Sequence, residues 1–257
     1  MRTARPRRRR AGRRRGDVRA APRTTDRDPT HAVRRSRKGE RGLALGRALG
    51  KPHLRVAAVD DGSFRRSDRF APVAAVAWSY PDLVEGVRLG HVRVDGTDAT
   101  ERIGALVRSL PPFEGVRAVL LDGVAVGGFN VVDLGRLARE LGRPVIAVTR
   151  RPPEFRSIRA ALRKYFPRDA ERRWRRLHRF PLHAVPTGGA PVWAASAGCT
   201  AEDAEAVVLR VTRRGFWPEP LRLAHLVARA AGQSTGRPRS GRTLKPRPRV
   251  TRVGPVA

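Results

Sequence analysis

The chain has 257 residues and a formal net charge of +32, from 55 Lys/Arg against 23 Asp/Glu, with a single cysteine. That length suits one domain of ordinary size with tails, and the lone Cys199 excludes an internal disulfide framework and a multi-thiolate zinc centre. No apolar stretch approaches the roughly 20 residues that a transmembrane helix needs, and the Arg-rich start lacks the apolar segment of a secretory signal, so a cytoplasmic protein without a membrane partner is expected.

In chain order, residues 1–50 carry 18 Lys/Arg and 4 acids, while residues 237–257 carry 7 Lys/Arg and no acid. Both ends are rich in Pro and Gly and poor in large apolar residues, too little to offset the entropy of ordering. Disordered basic arms at 1–50 and 237–257 are therefore expected around a folded domain at 51–236. Such arms bind polyphosphate by counterion release. Arg outnumbers Lys 51 to 4, a skew that a GC-rich genome also produces, and segment 1–50 can equally be read as translation from a start codon placed too early. The middle of the chain stays basic without the arms.

Within the domain, apolar runs predict strands at about 54–60 and 71–79, and alternation predicts a third at 86–94. The turn Tyr80-Pro81-Asp82 and the short connections imply an antiparallel meander. Thr97 or Asp98 reads as the N-cap of a helix to about Leu110, with Ile103, Leu106, Val107 and Leu110 on one face. A strand at 116–122, a helix at 131–141, a strand at 144–149 and a helix at 154–164 follow. A basic helix (169–179), a β-hairpin (181–196) and helices at 201–213 and 219–231 complete the domain. The order βββαβαβα describes an α/β mixed sheet flanked by helices, the order of the ribonuclease H-like fold, which places catalytic acids on its first and fourth strands. Those acids are Asp60 and Asp122 here.

Both acids close apolar runs, Val56-Ala57-Ala58-Val59-Asp60-Asp61-Gly62 and Ala118-Val119-Leu120-Leu121-Asp122-Gly123. A glycine after each acid lets the chain turn, so the carboxylates project from the carboxyl ends of their strands, where α/β sheets bind ligands. Carboxylates gathered there repel one another and are costly to desolvate unless a cation neutralises them. A divalent metal site is expected. Mg²⁺ suits it, with Mn²⁺ as the substitute, because hard oxygen ligands and retained waters satisfy that ion.

Five segments resemble one family: Arg55 to Phe64, Val94 to Glu101, Leu121 to Asp133, Pro144 to Arg150 and Pro218 to His225. It is the mainly archaeal family called domain of unknown function 99, also labelled endonuclease dU, and the match runs from about Leu54 to Arg237. That family resembles endonuclease V, whose members have a ribonuclease H-like fold and use Mg²⁺ to cut nucleic acid near deaminated bases. The resemblance implies that Asp60 and Asp122 are shared metal ligands. The family's intermediate acid falls on Asp98 or Glu101, with Asp95 a third candidate. Asp98 is equally readable as a helix cap.

By the same resemblance, the loop through Gly127, Gly128, Phe129 and Asn130 would enclose a flipped base, Phe129 stacking on it and Asn130 or backbone amides reading its edge; core packing of Phe129 is the competing reading. Tyr80-Pro81 stands where endonuclease V carries an aromatic-proline wedge. Arg150 follows a strand and could meet phosphate. Asp61 reads as a turn cap, Glu219 as a helix-end acid or a late metal-orienting one, His225 as a packing histidine, and Asp133 as a helix-end acid.

The expected function is metal-dependent endonucleolytic hydrolysis near deaminated bases in DNA, deoxyuridine first and deoxyinosine next, in DNA repair. The alternatives are a non-catalytic nucleic-acid-binding protein on the same fold and an endoribonuclease acting on inosine-containing RNA. Nothing in the sequence fixes the oligomeric state.

Overall fold

The computed structural model describes residues 45, 49, 53–111 and 113–234. The arms expected at 1–50 and 237–257 lie outside the described residues, apart from Leu45 and Leu49. Both of these are helical and pack on the domain core, Leu45 fully buried, so folded residues occur before position 51.

Among the described residues seven strands form one sheet. Strands β1 (Arg55–Asp61), β2 (Phe70–Ser79) and β3 (Leu83–Arg93) make the expected antiparallel meander. Helix α1 (Ala99–Arg108) crosses to β4 (Ala118–Asp122), which pairs in parallel with β1. A small hairpin of β5 (Ala125–Val126) and β6 (Asn130–Val131) follows. Next come α2 (Leu134–Leu141), β7 (Val145–Thr149), α3 (Phe155–Tyr165) and α4 (Ala170–Leu177). Strand β7 pairs in parallel with β4. The hairpin of β8 (His183–Val185) and β9 (Val192–Ala197) extends the sheet, and α5 (Ala201–Val211) and α6 (Glu219–Ser234) end the described domain. This is a ribonuclease H-like α/β domain.

Side chains alternate across a strand, so β1 serves two cores. Ala57 and Val59 join the face covered by α1 and α2, with Ile103, Val107, Leu134 and Leu137. Val56 and Ala58 join the opposite face, with Val207, Val211, Leu221 and Ala224 of α5 and α6. The same alternation assigns Asp60 to the α6 face and Asp61 to the other.

Helix 131–141 of the sequence reading starts later, at Leu134, because Asn130 and Val131 are spent on the β5–β6 hairpin. Asp133 caps α2 by accepting from the Arg136 N–H at 2.9 Å, and Gly142, at φ +61°, ends it in the left-handed conformation that glycine adopts without strain. Thr200 caps α5 in the same way through the Asp203 N–H.

Candidate active site

Strands β1 and β4 run parallel with Val59 beside Leu121, so Asp60 and Asp122 leave the sheet next to one another one register step later. Together with Asp61, Gly62, Ser63, His225 and Arg229 they line a cavity of about 380 Å³ at the carboxyl edge of the sheet. Asp60 is almost fully buried, at 3% exposure. Its Oδ1 accepts the Asp61 N–H at 2.8 Å, and its Oδ2 lies 2.8 Å from Nδ1 of His225 on α6, a separation that requires a proton between them.

Burial is the largest influence on Asp60 and, with the neighbouring Asp122 and Asp61 carboxylates, it pushes the Asp60 carboxyl up to about 8. Asp122 is raised as well, again chiefly by burial, with the Arg150 guanidinium opposing the shift. Arg150 Nη1 stands 3.4 Å from Asp122 Oδ2, and its guanidinium lies 3.8 Å from the Trp217 ring centroid. Burial also raises Asp61, whose Oδ2 accepts the Gly127 N–H at 2.6 Å. One buried and two half-buried carboxylates at one sheet edge are a site that gains from a cation.

The other acids expected at this centre are engaged elsewhere. Asp98 Oδ1 accepts the Asn130 Nδ2–H at 2.7 Å and the Arg93 N–H at 3.2 Å. It occupies the N-cap position of α1 without making a side-chain cap. Asn130 supplies that cap across 31 residues, its Oδ1 accepting the Ala99 N–H at 3.0 Å. Glu101 is exposed and faces Arg136 at 3.9 Å. Asp95 Oδ1 accepts the Phe129 N–H at 2.8 Å. Glu219 is paired through both oxygens with Arg222, which lowers its pKa. Asp61, and not Asp98, Glu101 or Asp95, lines the cavity beside Asp60 and Asp122.

The base-reading loop also differs from expectation. Asn130 is fully buried, with its oxygen on the Ala99 N–H and both amide hydrogens taken by Arg93 O and Asp98, so its side chain is not presented to a base edge. Phe129 is half-buried and meets Phe166 edge-on, with ring centroids 5.6 Å apart. Gly127 and Gly128 have φ of +55° and +85°. At Gly128 a Cβ would strike Asp95 Oδ1, so these glycines serve the loop's own tight packing. Tyr80 stands at the wrong end of the sheet for a wedge. Ser79 pairs with Arg55 at the start of β1, and the Tyr80 N–H binds Leu54 O, whereas Asp60 ends that strand. Arg210 and Arg213 cover the Tyr80 ring instead, at 4.7 and 5.1 Å from its centroid.

Sequence reasoning missed His225 and Asp61. Heptad or strand periodicity gives no sign of either role, but His225 closes the Pro218-to-His225 run that carries the family resemblance. Gly62 is required for a reason other than the sharp turn expected of it. A Cβ there would collide with the carbonyl oxygen of Ala228 on α6 and with Pro72, so glycine lets the helix bearing His225 come down onto the end of β1.

The fold is that of an endonuclease V-like, ribonuclease H-like α/β domain. Endonuclease V of Ciona intestinalis, in complex with a 24mer DNA containing an inosine followed by a ribo-adenosine, superimposes with a TM-score of 0.52 at 16% identity, over 72% of this chain and 88% of that one. More specifically, the chain belongs to the endonuclease dU family, whose model matches residues 52–232. The UPF0215 protein of Thermococcus gammatolerans is 41% identical over 194 residues, covering 72% of this chain and 96% of the relative. A protein of unknown function from Archaeoglobus fulgidus is 32% identical, with a TM-score of 0.62 over 69% of this chain and 98% of that one. Among the described residues, no helix is long and apolar enough to cross a membrane.

Proposed function

We propose that this protein is a divalent-cation-dependent endonuclease that hydrolyses a phosphodiester near a deaminated base in DNA, with deoxyuridine preferred and deoxyinosine next. The observation that carries this reading is the convergence of Asp60 and Asp122, both raised in pKa, against His225 in an open cavity at the carboxyl edge of the sheet. The family's own description supports the endonuclease class, and the DNA held by the Ciona relative supports a nucleic-acid partner.

The donor set fits Mg²⁺ or Mn²⁺. All the nearby acids offer hard oxygens, and Mg²⁺ keeps several waters, so one or two carboxylates suffice. Among the described residues no group of three or more His, Cys, Asp and Glu is placed to hold a metal ion by itself; Asp60 and Asp122, with Asp61 alongside, are the residues that would hold a part-hydrated one. The chemistry such an ion supplies is neutralisation of phosphate charge and acidification of water.

The chain's own groups do the rest. Asp60 and Asp122 hold the reacting centre against the sheet edge. Asp60 fixes the His225 ring through Nδ1, leaving Nε2 to exchange a proton with water or the leaving oxygen. Arg150, stacked on Trp217, and Arg229 at the cavity wall offer guanidinium groups to the phosphate.

The test is cleavage of end-labelled oligonucleotides carrying one deoxyuridine, one deoxyinosine, one riboinosine or no lesion, with Mg²⁺ or with EDTA. A metal-dependent nick near the deoxyuridine, absent in Asp122→Asn, supports the reading. Nicking of the riboinosine strand alone moves the activity to RNA, and binding without cutting at any Mg²⁺ or Mn²⁺ level overturns it.

A further inference from the structure

A second cavity, about 410 Å³, opens on α3 and α4 and is lined by Phe155, Arg156, Arg159, Ala160, Arg163 and Trp174. Arg159 lies over the Trp174 ring at 5.2 Å and reaches Glu171 at 3.8 Å. Its Nε is nevertheless buried with no hydrogen-bond acceptor among the described residues. Trp174 is itself held, edge-on to Phe155 at 5.8 Å and stacked on His178 at 4.4 Å. Arg156 and Arg163 are exposed, and among the described residues no carboxylate pairs with either. A buried guanidinium nitrogen without an acceptor costs about 1–3 kcal/mol. The cavity therefore asks for an acceptor, and its arginines ask for an anion.

The position of this pair of helices says which anion. Helix α3 follows directly from β7, where Val148 pairs with Asp122 and Arg150 reaches the same carboxylate. Helix α4 is tied to the loop beside the acids, since Arg173 donates to Gly96 O and Phe129 O while Gly127 of that loop donates to Asp61. Residues 150–180 hold 12 Lys/Arg against 3 acids. On a helix rising 1.5 Å per residue, Arg156 and Arg163 are about 10.5 Å apart, the rise of about three nucleotides on one strand.

We propose that the Arg156–Arg159–Arg163 row grips backbone phosphates of the substrate strand beyond the acid pair, with Phe155 and Trp174 as its apolar wall. Such contacts set register without reading sequence. This rests on the nucleic-acid reading of the acid site, so its test separates binding from cutting.

The experiment is fluorescence anisotropy of a labelled, unmodified single strand with the full chain in EDTA, across a salt series. The Arg156→Ala/Arg163→Ala variant is compared with Arg117→Ala/Arg139→Ala, which removes the same charge from exposed positions near the opposite sheet edge. Circular dichroism checks that each variant folds. The first variant is expected to bind at least about tenfold more weakly, with the slope of log K on log salt shallower by about 1.4, or about 0.7 per lost phosphate contact. The control pair is expected to keep the original slope. An unchanged slope in the first variant, or an equal change in both, overturns the proposal. A chain that binds this way but cuts nothing leaves the arginine row standing and removes the nuclease reading, and a chain that binds no nucleic acid overturns both.

Discussion

His225 and Asp60 are 165 residues apart in the chain and 2.8 Å apart in the fold, Nδ1 to Oδ2. The contact joins the last described helix to the first strand, and it fixes an imidazole beside a buried carboxylate that also neighbours Asp122. A histidine held by an acid in this way is oriented for proton transfer, and its loss removes both the proton carrier and Asp60's hydrogen-bond partner. His225→Ala is expected to lower cleavage about 10- to 100-fold, the usual cost of removing a partner that orients a metal ligand. Nucleic-acid binding in EDTA should be retained. Single-turnover kinetics beside an anisotropy titration measure the two together.

The pH dependence of stability follows from Asp60. Its carboxyl is pushed up to about 8 in the folded chain from an ordinary value of 3.8, so the folded state keeps a proton that the unfolded state releases. The associated stability is present in full below about pH 4 and is lost as pH rises towards 8, on the order of a few kcal/mol across that window. The metal-free protein is expected to melt at lower temperature at pH 9 than at pH 5. Asp60→Asn should flatten that dependence, and Mg²⁺ should raise the melting temperature at pH 9 only where Asp60 is intact. Thermal melts over pH with and without the ion read both effects.

Gly62 carries a steric prediction. Because a Cβ at this position meets Ala228 O, Gly62→Ala must push α6 away from β1 and carry His225 with it. A destabilisation of about 1–3 kcal/mol is expected from overpacking of this kind, with loss of cleavage beyond that cost. Denaturant unfolding and a cleavage assay on the residual folded protein check the two parts.

Much of the fold was legible because the strands declare themselves. Apolar runs ending in Asp60 and Asp122 located β1 and β4, and the meander, α1, β7 and α3 followed from spacing and turn residues. The adjacency of Asp60 and Asp122 also follows from sequence once β1 and β4 are taken as parallel neighbours. The presence of Asp61 in the cavity beside Asp60 and Asp122 was not legible. Asp98 and Asp61 both stand beside turns, and only the tertiary bond between Asp98 and Asn130 shows that the former is tied to the residue that caps α1. Tyr80 misled because a Tyr-Pro turn looks the same at either end of a sheet, and the β1–β2 register decides which end it is. The β5–β6 hairpin escaped because two-residue strands leave no periodicity to read.

The reassignment of Asp98 and Asn130 is itself testable. Asn130→Ala leaves the Ala99 N–H without its side-chain acceptor and removes the donor shared by Asp98 and Arg93 O, so stability is expected to fall by about 1–3 kcal/mol. Glu101→Gln, at an exposed position, should change cleavage less than about twofold. Asp61→Asn should reduce cleavage more than Asp98→Asn does, after both are corrected for the folded fraction. The reverse order in a cleavage series would restore Asp98 as the third acid.

The most direct test of the central claim is calorimetric titration of Mn²⁺ into the full chain and into Asp60→Asn and Asp122→Asn. A saturable binding heat is expected for the unsubstituted protein, and either substitution is expected to abolish it while the fold, followed by circular dichroism, is kept. Equal binding by all three proteins, or none by the unsubstituted one, would contradict a metal site on Asp60 and Asp122.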